Sequence, residues 1–176
     1  MTDTVPDPID AVLRSDHAAI TRDLAGLRSA DPQHAAGLFA QLSADIVRHF
    51  VAEEQYLLPA AREYLDGGEQ LTSDQFAEHE RIEGLLRHLD DEEGQPVDTT
   101  VGELERALAA HIELVEGDVL PALVARLDPA RLAELGEGAL GAEQLAPTHP
   151  RALVFKSTTL SKVTSWLEGL IDKSTS

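Results

Sequence analysis

Histidines followed by carboxylates at short spacing are the residues of this sequence best suited to chemistry. His49 precedes Glu53 by four residues, His111 precedes Glu116 by five, and both stretches continue to a Leu-Pro pair. The chain contains no cysteine. Imidazole and carboxylate ligands without thiolates suit iron, manganese or zinc. These residue types therefore predict a metal site and exclude disulfides and thiol catalysis.

An internal repeat relates the histidines to one another. His49 and His111 are separated by 111 − 49 = 62 residues, and the same offset, 79 − 17 = 62, separates His17 from His79. The repeat predicts that a pair of helices occurs twice. Two antiparallel helix pairs can close into a single bundle, unlike solenoid repeats, which need three or more units.

Amphipathic helices are predicted to carry these residues, because apolar positions recur three and four apart around each histidine. The first helix is expected from near Pro8 to just before Asp31-Pro32, a pair that suits the start of the second. Pro59 is expected to kink or end the second helix. The third is expected to start at Thr72, which has capping-box spacing, and the fourth near Thr100.

The rest of the chain is predicted to form a short fifth helix and a tail. Asp128-Pro129 repeats the start signal, and glycines within residues 136–141 are expected to weaken the helix that follows. We assign residues 1–145 to the bundle with its fifth helix, and residues 146–176 to a linker and an amphipathic tail. The tail is expected to dock on the bundle or on a second subunit, which would make a homodimer.

The net charge of the chain limits the classes of molecule that it is expected to bind. Thirty-two acidic and fourteen basic residues give a formal net charge of −18, which repels nucleic acid and anionic membrane surfaces. Bound cations would offset part of this charge. Residues 1–11 lack the basic start and apolar run of a signal peptide, and no stretch is long and apolar enough to span a bilayer. We expect a cytoplasmic protein without nucleic-acid or membrane partners.

The number of candidate ligands favours two metals over one. A single histidine in an apolar seam is as often a hydrogen-bonded core residue as a ligand, but four seam histidines with Glu53, Glu83 and Glu116 form a joint pattern. Burying unpaired carboxylates costs several kcal/mol each, so a compensating cation is expected. Ferritin-like di-iron bundles use Glu-x-x-His, which none of the four histidines completes.

The pattern resembles the hemerythrin-like, or HHE cation-binding, family over roughly residues 9–145. That family has a histidine on helix 1, His-x-x-x-Glu on helix 2, His-x-x-x-His or Glu on helix 3, and a histidine followed by a carboxylate at i+4 or i+5 on helix 4. The resemblance implies an all-α, antiparallel up-down-up-down four-helix bundle around a non-haem di-iron centre (Fe²⁺/Fe³⁺). It implies His17, His49, His79 and His111 as terminal ligands, with Glu53 and Glu116 as bridging carboxylates.

One helix-3 position departs from the oxygen-carrying hemerythrins. Glu83 stands where they have a second histidine, so it either binds as an anionic ligand that favours ferric iron or leaves an open position. Two other assignments stay open. The repeat aligns Glu54 with Glu116, whereas helical spacing favours Glu53 as the ligand, and Tyr56 is interpreted as a lining residue with metal ligation as the alternative.

The expected function is that of a metal-binding protein that binds or reacts with O₂, peroxide or nitric oxide. One alternative is an iron-homeostasis or redox sensor whose fold responds to metal loading. Another is a peroxide-decomposing enzyme of catalase or peroxidase type, and the last is a structural bundle without metal. The sequence does not separate sensor from enzyme.

Overall fold

The computed structural model describes residues 6–91 and 98–146, which form helices joined by turns. We number the helices α1 to α5. They are α1 (Ile9–Arg28); α2 (Pro32–Ala52, then a π-helical turn Glu53–Leu57 and Leu58–Tyr64); α3 (Gly68–Asp91); α4 (Asp98–Leu114, then a π-helical turn Val115–Val119 and Leu120–Val124); and α5 (Pro129–Leu145). The first four form the predicted antiparallel bundle, so the expected fold is confirmed.

Two helices begin where their capping residues predicted. The Asp31 carboxylate accepts hydrogen bonds from the backbone N–H groups of Gln33 (2.9 Å) and His34 (3.2 Å), and Pro32 opens the first turn of α2. Asp128 accepts from the N–H of Arg131 at 2.9 Å in the same way. Each carboxylate satisfies N–H groups that have no partner within the helix.

The predicted start of α3 at Thr72 was wrong, because the helix begins one turn earlier, at Gly68. Gly67 takes a positive φ of 73°, which reverses the chain after α2 and which glycine tolerates. The Thr72 hydroxyl, free of capping, donates instead to the backbone carbonyl of Leu58 at 3.2 Å. This bond ties α3 to the end of α2.

The two π-helical turns occupy equivalent positions of the repeat, since 53 + 62 = 115 and 57 + 62 = 119. Each precedes a proline, whose missing N–H removes one α-helical hydrogen bond. The turn widens, and the N–H of Leu58 donates to the Glu53 carbonyl five residues back. Helix α2 therefore continues beyond Pro59 to Tyr64 instead of ending there.

The apolar core is divided into two clusters, one at each end of the bundle. Along α1, Leu13 belongs to the cluster that α5 covers, and Ile20 belongs to the cluster at the other end. His17 lies between them. The histidines thus occupy a polar layer sealed above and below by apolar side chains, and bulk water is kept away from them.

Helix α5 is continuous across its glycines, and two of these allow it to pack closely. A Cβ at Gly136 would collide with the backbone carbonyl of Asp7, and a Cβ at Gly138 would collide with the Tyr56 ring. The conformational cost of glycine in a helix is therefore offset by a close approach to α1 and α2. A Cβ at Gly141 would meet open space.

The predicted linker and tail lie outside the described residues, apart from Ala146. Docking of the tail and its use in a homodimer therefore stay predictions, as does the domain division at residue 145. Of the helices in the described ranges, none combines the length and the apolar character needed to cross a bilayer.

Candidate metal centre

Four histidines and one glutamate meet in the polar layer. The histidines come one from each of α1 to α4 and are 1–2% exposed, while Glu53, at the start of the first π-helical turn, is fully buried at 0%. The histidines are His17, His49, His79 and His111. Their rings contact one another edge to face, with centroids 4.6 Å apart for His17 and His49 and 5.2 Å apart for His79 and His111.

The Glu53 carboxylate stands at the centre, with two imidazoles facing each of its oxygens. Its Oε1 lies 3.8 Å from Nε2 of His17 and 3.3 Å from Nε2 of His49. Its Oε2 lies 3.1 Å from Nε2 of His79 and 3.4 Å from Nε2 of His111. In His17, His49, Glu53 and His111, one potential ligand atom from each residue lies within 4.8 Å of those of the other three.

Unpaired polar atoms at the centre fit a bound cation. Oε1 of Glu53 and Nε2 of His111 are both buried without a hydrogen-bond partner. Leaving such atoms unpaired destabilises the fold by about 1–3 kcal/mol each. Since both are lone-pair donors of the types that bind transition metals, the residues present fit a metal ion.

The outer nitrogens of two histidines are held across the repeat. Nδ1 of His17 donates to Oε1 of Glu116 at 2.9 Å, and Nδ1 of His79 donates to Oε1 of Glu54 at 2.9 Å. The two contacts are equivalent, because 17 + 62 = 79 and 54 + 62 = 116. Each helix pair therefore supplies the carboxylate that orients a histidine of the other pair. With Nδ1 held in this way, Nε2 faces inward, where that of His79 donates to Oε2 of Glu53 at 3.1 Å and would have to lose its proton to bind a cation.

The other two outer nitrogens break the repeat. Nδ1 of His49 lies 3.5 Å from Oδ2 of Asp16, whereas Nδ1 of His111 donates to Oε1 of Gln75 at 3.1 Å. The equivalent of Glu53 is also changed, since 53 + 62 = 115 and residue 115 is valine. The centre consequently has one central carboxylate instead of two.

Comparison with known proteins identifies the family. The hemerythrin HHE cation-binding domain matches residues 9–123 of the sequence. The chain belongs to this family. Its fold is similar to the crystal structure of an HHE cation-binding domain-containing protein from Mycobacterium kansasii, with a TM-score of 0.69 and 22% identity over 87% of this chain and 93% of that one. No curated protein sequence matches the chain significantly.

In the metal-free HHE domain, a proton is shared at the place where ligand atoms converge. Burial, with the neighbouring His49, lowers the pKa of His17 to about 4. Burial acts to lower the pKa of His49 as well, but Glu53 and Asp16 outweigh it and raise this pKa to about 9. Protonated His49 then donates from Nε2 to Nε2 of His17, 3.0 Å away. A cation bound there would displace this proton.

Two predicted ligands of the HHE domain lie away from the central group in this structure. Glu116 accepts from His17 and also from the Arg14 guanidinium at 2.6 Å, so it reaches the centre only by leaving both. Glu83 lies 3.4 Å from Arg87, and burial together with Glu54 raises its pKa to about 7. Metal ligation by Glu116 and Glu83 stays a prediction.

Two questions were left open near the first π-helical turn: whether Glu53 or Glu54 is the ligand, and whether Tyr56 binds metal. Glu53 lies in the centre, and Glu54 lies behind His79 as its hydrogen-bond partner, so Glu54 is neither central nor simply solvated. Tyr56 packs against Gly138 of α5 and lines a surface pocket between α2 and α5. An α-helical count puts Tyr56 on the His49 face, but the widened turn between them shifts its register.

Sequence reasoning missed the partners of the outer nitrogens. Gln75 had a usable signal in its spacing, because it lies four residues before His79 on the same helical stripe. Glu54 and Glu116 shared the offset that also relates His17 to His79. Asp16 had no comparable signal, since it is simply the neighbour of His17 in the chain.

Proposed function

We propose that this HHE domain is a non-haem di-iron protein that binds or reacts with O₂, peroxide or nitric oxide. The observation that supports it best is the division of four imidazoles between the two oxygens of Glu53. A carboxylate used in this way would bridge two ions, with a histidine pair on each. One tetrahedral zinc would use four ligands and leave part of this set without a cation.

Iron is favoured by the ligand chemistry. Imidazole and carboxylate suit it, thiolates are absent, and the small number of protein ligands for two ions would leave open coordination positions. When bound, a di-iron centre supplies reversible one-electron redox chemistry and a position for a small oxidant. The centre is enclosed between two apolar clusters, and a ligand as small as O₂, peroxide or nitric oxide is sufficient to account for such an enclosed position.

The chain's own contribution is orientation and exclusion of water. The partners at Nδ1 hold the imidazoles of His17, His79 and His111 with Nε2 facing inward, which raises the basicity of these rings as ligands. Apolar side chains on either side slow the loss of the ions and lower the local dielectric. The Arg14 guanidinium keeps Glu116 on the outer side of His17 in the metal-free protein.

The test is metal analysis of freshly purified protein, followed by reconstitution with ferrous iron without oxygen. We expect about two irons per chain and visible spectra that change with O₂, peroxide or nitric oxide. Peroxide turnover above that of free iron, abolished by His111→Ala, would identify an enzyme. Reversible spectra without turnover would identify a carrier or sensor. Zinc alone, or no metal after reconstitution, would contradict the di-iron proposal.

A metal-responsive fold is a second candidate, favoured by the unpaired atoms at the centre. Glu53 Oε1 and His111 Nε2 destabilise the metal-free bundle, and a cation that pairs them binds the folded state alone. Metal at one hundred times its dissociation constant would add about 2.7 kcal/mol to the free energy of unfolding. Thermal unfolding with and without chelator measures this, and equal midpoints would contradict it.

A further inference from the structure

Arg14 contacts Glu116 at both its side chain and its backbone. Nη1 of Arg14 donates to Oε2 of the Glu116 carboxylate at 2.6 Å, and Nη2 donates to the backbone carbonyl of Glu116 at 3.1 Å. The other carboxylate oxygen, Oε1, accepts from Nδ1 of His17 at 2.9 Å. Arg14 and His17 lie three residues apart on α1, so both reach Glu116 from one face of that helix. All three oxygens of Glu116 therefore have donors from α1.

The contact with the carbonyl replaces a hydrogen bond that Pro121 removes. In the second π-helical turn, the N–H of Leu120 donates to the carbonyl of Val115, five residues back. The next bond of this kind would join the N–H of residue 121 to the Glu116 carbonyl, but proline has no N–H. The Arg14 guanidinium supplies a donor to this carbonyl from outside the helix.

The equivalent part of the repeat lacks such a donor. Glu54 corresponds to Glu116, and a proline follows each of them five residues later. The counterpart of Arg14 is Phe76, since 14 + 62 = 76, and a phenylalanine side chain cannot donate a hydrogen bond. The arginine at position 14 therefore distinguishes two glutamates that otherwise occupy equivalent positions.

We propose that Arg14 is a positioning residue, which fixes Glu116 as the outer partner of His17 and keeps it out of the metal coordination sphere. The Arg14 side chain is 42% exposed, and a single ion pair at such a position contributes little. A guanidinium that donates to two acceptors of one residue adds a fixed geometry to the charge. The exclusion from the coordination sphere rests on the proposed function, whereas the contacts in the metal-free protein do not.

Two substitutions of Arg14 distinguish its geometry from its charge. Arg14→Leu removes both, whereas Arg14→Lys keeps the charge but lacks the planar fork that serves two acceptors. The matched control is Arg28→Leu. Arg28 pairs with Glu105 and so also joins α1 to α4, but it lies 28 − 14 = 14 residues further along α1, about 21 Å away.

The first test is on the metal-free protein. Exchange of the Nδ1 protons of His17 and His79 with water is followed by ¹H–¹⁵N NMR. Arg14→Leu should speed exchange at His17 about tenfold, the factor for loss of one hydrogen bond to a charged group, and Arg14→Lys should speed it less. The His79 proton, which has a different partner, should be unchanged in both variants. Arg28→Leu should resemble wild type at both histidines.

The second test is the visible spectrum of bound Co²⁺. Arg14→Leu should change this spectrum, because the freed Glu116 carboxylate adds an oxygen ligand to the ion. In a Glu116→Leu background, Arg14→Leu should have no further effect on the Co²⁺ spectrum or on exchange at His17, since the two residues act through one contact. Arg28→Leu should give the wild-type spectrum.

The outcomes separate the positioning role from the proposed function. If wild type does not bind Co²⁺, the metal function fails and the exclusion of Glu116 fails with it, while the exchange rates still decide whether Arg14 positions Glu116. Unchanged exchange at His17 in Arg14→Leu would overturn the positioning role. So would equal acceleration at His17 and His79, which would indicate a general loosening of the fold. An unchanged Co²⁺ spectrum in Arg14→Leu would overturn the exclusion of Glu116 from the coordination sphere.

Discussion

Each imidazole of the centre has two ring nitrogens, with Nε2 facing inward and Nδ1 facing outward. The partner of Nδ1 influences how Nε2 binds. Nδ1 of His17 is occupied by Glu116, which fixes the tautomer and leaves Nε2 with its lone pair toward Glu53. Loss of such an outer partner lowers metal affinity about 10- to 100-fold in comparable sites. A hydrogen-bond partner at Nδ1 is therefore expected to influence metal affinity without itself being a ligand.

Variants of Glu116 can distinguish a role as the hydrogen-bond partner of His17 from a role as a carboxylate that bridges two metal ions. Glu116→Gln keeps an oxygen acceptor for Nδ1 of His17, whereas Glu116→Leu removes it. If the outer contact persists in the loaded protein, we expect only the leucine variant to lose affinity, about 10- to 100-fold, with metal per chain unchanged. Calorimetric titration with ferrous iron without oxygen measures both quantities.

The control for this comparison is Glu113→Leu, which removes an exposed carboxylate from the same helix. It should bind iron as wild type does. A lower number of irons per chain in Glu116→Gln would instead favour the bridging role that the family resemblance implies.

The sequence was sufficient to predict that the four histidines and Glu53 lie on inward faces of the helices, because seam position and i+4 spacing depend only on α-helical periodicity. It was insufficient for Glu54 and Glu116. Both lie in π-helical turns, where an α-helical count no longer assigns a residue to a face. The position of Asp16 beside His49 depends on packing between helices, which no local pattern encodes.

At the scale of helices, the π-helical turns are the elements that shape the site. Each widens the helix just after a seam histidine and ahead of a proline, so the helix can continue without the missing proline N–H. The first π-helical turn directs the side chain of Glu53 into the centre and the side chain of Glu54 toward His79. A proline that was expected to kink or end a helix therefore accompanies a local change of register at the centre.

Two glycines of α5 make a matched pair for stability. Gly136→Ala places a methyl group against the Asp7 carbonyl and should destabilise the protein by about 1–3 kcal/mol, as overpacking does. Gly141→Ala meets open space and should stabilise it by about 1 kcal/mol, the helix-propensity difference. Urea unfolding of the metal-free protein measures both changes, and effects of the same sign would contradict the packing of α5 described above.

For the whole molecule, the imidazoles make stability depend on pH. In the metal-free protein the pKa of His17 is lowered to about 4 from 6.5, so between these values the unfolded chain binds a proton that the folded chain does not. Stability should fall as pH drops through this window. His49, with its pKa raised to about 9, contributes stability below pH 6.5 that is lost as pH rises through 9.

The contributions of His17 and His49 taken together are therefore largest near pH 6.5, and thermal unfolding of the metal-free protein across pH, in wild type and in histidine variants, measures them. His17→Leu should reduce the acid loss, whereas the exposed control His34→Gln should retain it. Bound metal should remove the alkaline loss, since ligation already requires neutral His49. A flat profile between pH 6.5 and 9 in the metal-free protein would contradict the assignment of its proton.

The crossed contacts of Glu54 and Glu116 have a consequence for the symmetry of the molecule. In a twofold-symmetric dimer, a residue of one subunit contacts its partner's counterpart, and the reverse contact follows automatically. The paired contacts here have that form, with α1 and α2 as one unit and α3 and α4 as the other. They give the two helix pairs the pseudo-twofold relation that two copies of a half-length chain would have in a homodimer, and the symmetry is broken at the centre, where Glu53 is matched by Val115.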